Sequence, residues 1–186
     1  SAAGALVVSQ ENRFVFGPAR GLDQIKMCRV DAARGTCTAN ESAYATVKAG
    51  LGPRHFTFGR GAKFAYAVCE MGSSVVVFSY NPVNGSLTVV QTISNLPDGF
   101  TGIDNSEEIE VDRSGRLLYA YNRGNDSITV FAIDPAKGTL TKVQVVPTQG
   151  NIPRNFALDP TGKYLIAANQ KSNNLVVFSV DPNDGK

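Results

Sequence analysis

The stretch Gly52-Pro53-Arg54-His55 sets the only histidine of the chain directly after an arginine, at the start of an alternating run that reads as a strand. An arginine is a permanent cationic fork for a phosphate or carboxylate. A neutral histidine, or a carboxylate whose pKa burial raises, can move a proton. Alone the pair carries little weight, because an inward histidine is more often a hydrogen-bonded structural group. Its neighbours in the fold give it weight. Arg54, His55, Glu107, Glu108, Arg154 and Asn155 stand at the starts of equivalent segments, and Cys69, Glu70, Asn122, Arg123, Asn169 and Gln170 at the ends of others. A structural alternative stands beside the chemical one. Arginines at such mouths often pair with adjacent glutamates, here Glu70 or Glu108, and Asn122 and Asn169 can serve to close turns.

The equivalence comes from an internal repeat. "RFVFGPARGLDQIKMCRVDAARGTCT" from Arg13, "KFAYAVCEMGSSVVVFSYNPVNGSLT" from Lys63, "RLLYAYNRGNDSITVFAIDPAKGTLT" from Arg116 and "KYLIAANQKSNNLVVFSVDPNDGK" from Lys163 follow one pattern. Each has a basic residue, an apolar strand, a polar turn, a second apolar strand and an Asp/Asn-rich turn ending in Gly. A period of about 50 residues with four strands per unit is the signature of a β-propeller. Innermost strands (a) are expected at 5–8, 54–58, 108–111 and 154–158, and second strands (b) at 14–19, 64–70, 117–123 and 164–170. Third strands (c) are expected at 24–30, 74–80, 127–133 and 174–180, and outer strands (d) at 87–93, 140–146 and, less regularly, near 43–47. No segment keeps a 3.6-residue apolar period over a helical length. The chain therefore reads as all-β, a β-propeller of four-stranded antiparallel blades in one partial domain. The blades fall at about 1–50, 51–106, 107–150 and 151–186, the last without its outer strand.

Slightly fewer than four blades leave two apolar faces wet, because only ring closure removes such ends. The expectation is about four blades of a larger ring, completed by another chain or a missing segment; a closed four-bladed ring is the alternative. In an up-and-down blade the starts of strands a and the ends of strands b meet on one rim. The long connection 94–107 lies on that rim, as a lid or as a tolerated insertion. The other rim carries "RGAK", "RSGR" and "TGK", ordinary solvated turns.

Composition excludes several classes. The 18 basic and 16 acidic residues of the 186 give a net charge of +2 without runs, no footprint for nucleic acid or an anionic membrane surface. No apolar run approaches the roughly 18 residues of a membrane span. The N-terminus lacks a basic n-region, although Ser1 leaves a removed signal open. Cys28, Cys37 and Cys69 have no CxxC spacing, so neither zinc nor another cofactor is expected. Their odd number fits a reducing compartment, hence the cytoplasm, with secretion or a periplasmic location left open. Free thiols are therefore expected, and a Cys28–Cys37 bridge across a hairpin is the lesser alternative.

"GPRHFTF", "YAVCE", "SSVVVFSY", "RLLYAYNRGNDSITVF" and "PRNFALDPTGKYLIAANQKSNNLVVF" resemble the lactonase family of seven-bladed propellers, which includes bacterial 6-phosphogluconolactonase and the fungal carboxy-muconate lactonizing enzyme. The resemblance implies that the chain supplies the middle four of seven blades. It implies a rim site with His55, Glu70 and Arg123 as catalytic residues and Arg54, Glu108, Arg154 and Gln170 as substrate-binding residues. The implied reaction is hydrolysis of a small anionic sugar lactone, 6-phosphogluconolactone to 6-phosphogluconate, without a cofactor. Arg54, Arg123 and Arg154 would anchor the anion and stabilise the tetrahedral oxyanion, with Glu70 or His55 as proton handler. Ala2 and Gly4 stand where the family often has His-x-His, Ala19 where it often has Asp, and Glu110 where it has His. The same residues suit the reverse ring closure of the cyclase. A non-catalytic propeller that presents its rim to a ligand or protein is the other alternative, favoured by the missing histidines.

Overall fold

Short runs of β-branched and aromatic residues, cut by turns rich in Gly, Asp and Asn, can bury both faces only by stacking as sheets. A computed structural model describes residues 4–181 and 183–185. Its strands form four antiparallel sheets, each a meander in chain order. The first holds β1 (Val7–Val8), β2 (Phe14–Ala19), β3 (Gln24–Asp31) and β4 (Thr36–Thr46). The second holds β5 (Pro53–Phe58), β6 (Phe64–Cys69), β7 (Ser74–Tyr80) and β8 (Leu87–Ser94). The third holds β9 (Asn105–Val111), β10 (Leu117–Arg123), β11 (Ser127–Ile133) and β12 (Leu140–Pro147). The fourth holds β13 (Pro153–Leu158), β14 (Tyr164–Asn169) and β15 (Asn174–Ser179). The innermost strands β5, β9 and β13 touch in succession, as in a propeller. Among the described residues no helix is long and apolar enough to cross a membrane.

The core lies between sheets. Phe14, Phe16, Ile25, Phe56 and Phe78 join the first pair, with Phe16 stacked on Phe56 at 5.3 Å between ring centroids. Tyr66, Val75, Val77, Leu118 and Phe131 join the second pair, and Tyr119, Val130, Phe156 and Leu165 the third. Val75 and Val77 are fully buried, whereas their equivalents on the fourth sheet, Leu175 and Val177, are 71% and 61% exposed. That face has the composition of a blade that packs against another blade.

The glycines that end the second and third repeats, Gly85 and Gly138, have a packing reason that Gly35 of the first lacks. Asp134 ties the "DPAKG" turn by accepting the N–H groups of Ala136 and Lys137 at 2.8 and 3.0 Å, and the chain leaves through Gly138 at φ +69°. A Cβ on Gly138 would lie 2.2 Å from the ring of Phe64 in the preceding sheet. Gly85 meets Phe14 in the same way, at 2.6 Å. Gly138→Ala is therefore expected to cost about 2–3 kcal/mol, from the left-handed backbone and the forced separation of two sheets. The urea midpoint reads this; an unchanged midpoint would mean that Phe64 yields freely.

One expectation is corrected. Cys28 and Cys37, read as free thiols of a reducing compartment, are joined across the β3–β4 hairpin with their Cα atoms 5.7 Å apart. Cys28 and Cys37 sit in two paired strands near the end of the hairpin, which brings their Cβ atoms within bridging reach. Cys69 stays free and buried, and burial pushes its thiol up to about 12.

Candidate functional site

The same irregularity recurs at the start of three inner strands. In β5, Pro53 pairs with Cys69 and His55 with Val68, so Arg54 is an extra residue. In β13, Pro153 pairs with Asn169 and Asn155 with Ala168, so Arg154 is extra. In β9, Ser106 pairs with Asn122 and Ile109 with Ala120, which leaves Glu107 and Glu108 opposite Tyr121. A β-bulge re-aims a side chain and bends its strand, and bulges concentrate beside active sites. Here they turn Arg54, Glu107 and Arg154 toward one another.

Glu107 is the hub. Its side chain is 5% exposed, and its Oε2 lies 2.5 Å from Nη1 of Arg154 and 3.2 Å from Nη2 of Arg54. Its Oε1 lies 3.3 Å from Nη1 of Arg123. The buried Tyr121 hydroxyl donates to Oε2 at 3.0 Å and also sits 3.0 Å from the carbonyl of Arg154. Burial, reinforced by Glu107, pushes that phenol far above its ordinary range. Glu70 is the second carboxylate, 2.5 Å from Arg20 and 2.6 Å from Arg54. Burial alone would raise the Glu70 carboxyl, but the hydrogen bonds from Arg54 and Arg20 outweigh it, and the net shift is downward. Ion pairs thus run without a break from the first sheet to the fourth. Four guanidiniums face two carboxylates, so the cluster keeps a positive excess. Arg123 and Arg154 remain 34% and 50% exposed, and the buried Arg54 Nε has no partner among the described residues.

Beside the cluster, His55 Nδ1 lies 2.8 Å from Oε1 of Glu108. A carboxylate only accepts, so this contact puts a proton on Nδ1, and in the neutral ring Nε2 keeps its lone pair. Glu108 Oε1 also accepts the Ile109 N–H at 3.0 Å.

Of the sequence-derived set, Arg54, Glu70, Arg123 and Arg154 form one network, and His55 with Glu108 a neighbouring pair. Gln170 lies exposed on a concave surface shared with Arg154, Asn169 and Asn173, outside the ion pairs. Asn122 is not at the site: it is fully buried, donating to the Asn95 carbonyl at 2.8 Å and to Ser127 and Thr129 at 3.1 Å. Asn169 likewise donates to the Thr148 carbonyl at 3.0 Å. The long connection is tied down at both ends, by buried Asn95 and by Asp104, which accepts the Asn125 N–H at 2.9 Å. Glu110, standing where the family has His, accepts the Leu158 N–H of the next inner strand at 3.1 Å, and burial raises its carboxyl. A Cβ on Gly4 would lie 2.5 Å from the Arg54 carbonyl, so the backbone here excludes a larger residue; Ala2 lies outside the described residues.

Arg20, Tyr121 and the central role of Glu107 lie outside the sequence-derived set. Arg20 had a signal. Ala19, Cys69, Asn122 and Asn169 share one register against the third strands, so Arg20, Glu70, Arg123 and Gln170 follow at one equivalent position.

The family model described as "Lactonase, 7-bladed beta-propeller" matches residues 5–186. The 6-phosphogluconolactonase of Bacillus subtilis is 36% identical over 149 residues, 80% of this chain and 42% of its own length. That of Klebsiella pneumoniae is 37% identical over 153 residues, 82% of this chain and 45% of its own length. The structure of the Pseudomonas aeruginosa periplasmic gluconolactonase PpgL superposes with a TM-score of 0.93 at 34% identity, covering 99% of this chain and 51% of that one. The chain thus spans about half the length of the relatives it matches. With its four sheets, its bulged inner strands and a match over nearly every residue, the chain belongs to the lactonase family of seven-bladed β-propellers.

Proposed function

We propose that these sheets form the arginine-bearing part of a lactonase that opens an anionic sugar lactone, 6-phosphogluconolactone to 6-phosphogluconate. The observation that carries this reading is the positive excess of the cluster: Arg123 and Arg154 stay accessible while Glu107 and Glu70 hold the guanidiniums in place. A phosphate or carboxylate seats on such forks bidentately. His55 Nε2 takes a proton from water as the water oxygen adds to the lactone carbonyl. A guanidinium stabilises the resulting oxyanion. The intermediate collapses with cleavage of the ring C–O bond, and the imidazolium returns the proton to the leaving alkoxide. Glu70 suits positioning better than proton transfer, because both its oxygens are engaged and its carboxyl is held down.

The names of the Bacillus subtilis and Klebsiella pneumoniae relatives support the substrate class. The test is turnover of 6-phosphogluconolactone by the full-length protein and its Arg123→Ala variant. Loss of one charged contact should lower kcat/KM about 100-fold. Hydrolysis at the background rate in the unaltered protein, or an Arg123→Ala variant as fast as its parent, sinks the reading. Binding of 6-phosphogluconate without turnover would favour the non-catalytic alternative.

A further inference from the structure

The bulged arginines are each preceded by a kink that the neighbouring sheet holds. Asp23, in the β2–β3 turn, accepts the N–H groups of Gly50 at 2.9 Å and Gly52 at 2.7 Å, two residues before Arg54. Asp126, in the β10–β11 turn, does the same for the fourth sheet. Its Oδ1 accepts the Ile152 N–H at 2.9 Å and its Oδ2 the Asn151 side-chain amide at 3.2 Å, two residues before Arg154. Both kinks are left-handed, with φ +63° at Gly52 and +52° at Ile152. Glycine adopts that conformation freely. A β-branched residue does so only when its surroundings impose it. The Ile152 carbonyl in turn accepts the Gln170 N–H at 2.8 Å, so one strained residue sits between Arg154 and Gln170.

We infer that Asp126 and Ile152 form a positioning device for Arg154. Asp126 holds Ile152 in a conformation it would otherwise leave. When Ile152 relaxes to extended backbone, the following peptide turns and Arg154 withdraws from Glu107 and from the site mouth. Glycine at 152, as at 52, would reach the same kink without the clamp. The device thus makes the pose of Arg154 depend on the Asp126 side-chain acceptor oxygen, where the second sheet relies on Gly52 as well as on Asp23.

The kinetic readout rests on the proposed lactonase activity, whereas the structural readout does not. In the full-length protein, Asp126→Ala should raise KM for 6-phosphogluconolactone about tenfold and leave kcat within about threefold. Asp126→Asn, which keeps an acceptor for Ile152, should stay within about twofold of the parent. Ile152→Gly added to Asp126→Ala should restore most of the lost KM, which a merely structural role for Asp126 does not predict. Crystal structures of Asp126→Ala and of the double variant should show the Arg154–Glu107 pair open in the first and closed in the second. A closed pair in Asp126→Ala, or no rescue by Ile152→Gly, overturns the inference. An unaltered protein without turnover would defeat the lactonase reading alone, and the two structures would still decide the positioning.

Discussion

Glu107→Gln should be among the most damaging single-atom changes in the molecule, costing about 3 kcal/mol of stability by the measure of a buried ion pair that loses one partner. The glutamine keeps the shape of the side chain and an acceptor for Tyr121, but not the charge that Arg54, Arg123 and Arg154 share. Two effects then compete. Removing a negative charge strengthens the local field for an anionic ligand. It also leaves three guanidiniums to repel one another, at about 4 kcal/mol for each pair brought to 4 Å under an effective dielectric of 20. Repulsion should win, because the arms of Arg123 and Arg154 are partly solvated and can swing apart toward water. The expected result is a lower urea midpoint together with a kcat/KM for 6-phosphogluconolactone reduced about 100-fold or more, chiefly through KM. An unchanged midpoint, or tighter anion binding, would show that Glu107 does not organise the cluster.

That hub was legible only in part, and the reason is physical. The repeat displayed the sheets, because apolar runs of strand length and Gly-ended turns follow from burial and turn geometry alone. The three strands of the fourth sheet, and the interior face of β7, follow the same logic. A bulge has no such periodic trace. It changes the register by one residue inside an ordinary strand, so alternation could not say whether Glu107 or Glu108 turns toward the arginines. Arg20 is hard to single out because the apolar run ends at Ala19, although the next position in the other sheets carries Glu70, Arg123 and Gln170. The repeat points to an outer strand near 43–47, whereas β4 begins at Thr36, because most of its side chains face water and its sequence lacks an apolar stripe. The Cys28–Cys37 bridge depends on which residues of β3 and β4 lie opposite, and spacing alone does not fix that register.

His55→Ala should separate chemistry from binding. The imidazole is oriented by Glu108 and takes no part in the ion-pair cluster, so its removal should leave the arginines in place. The expected result is a kcat for 6-phosphogluconolactone lower by about 10³, the range for losing a positioned general base, with KM within about threefold. Glu108→Gln tests the orientation. Its amide oxygen can still accept from Nδ1 but no longer stabilises the imidazolium that forms as the water proton moves, so a loss of about 10- to 100-fold in kcat is expected. Should the amide instead present its NH2 group, Nδ1 must become the acceptor and the proton moves to Nε2, which removes the base altogether. The double variant then decides whether the two residues act as a unit: its kcat should match that of His55→Ala, because Glu108 has nothing left to orient. If the two losses multiply, Glu108 reaches the reaction by another route. A His55→Ala enzyme that turns over within about threefold of its parent removes the histidine from the mechanism and leaves proton transfer to another group, Glu70 being the other candidate in these sheets.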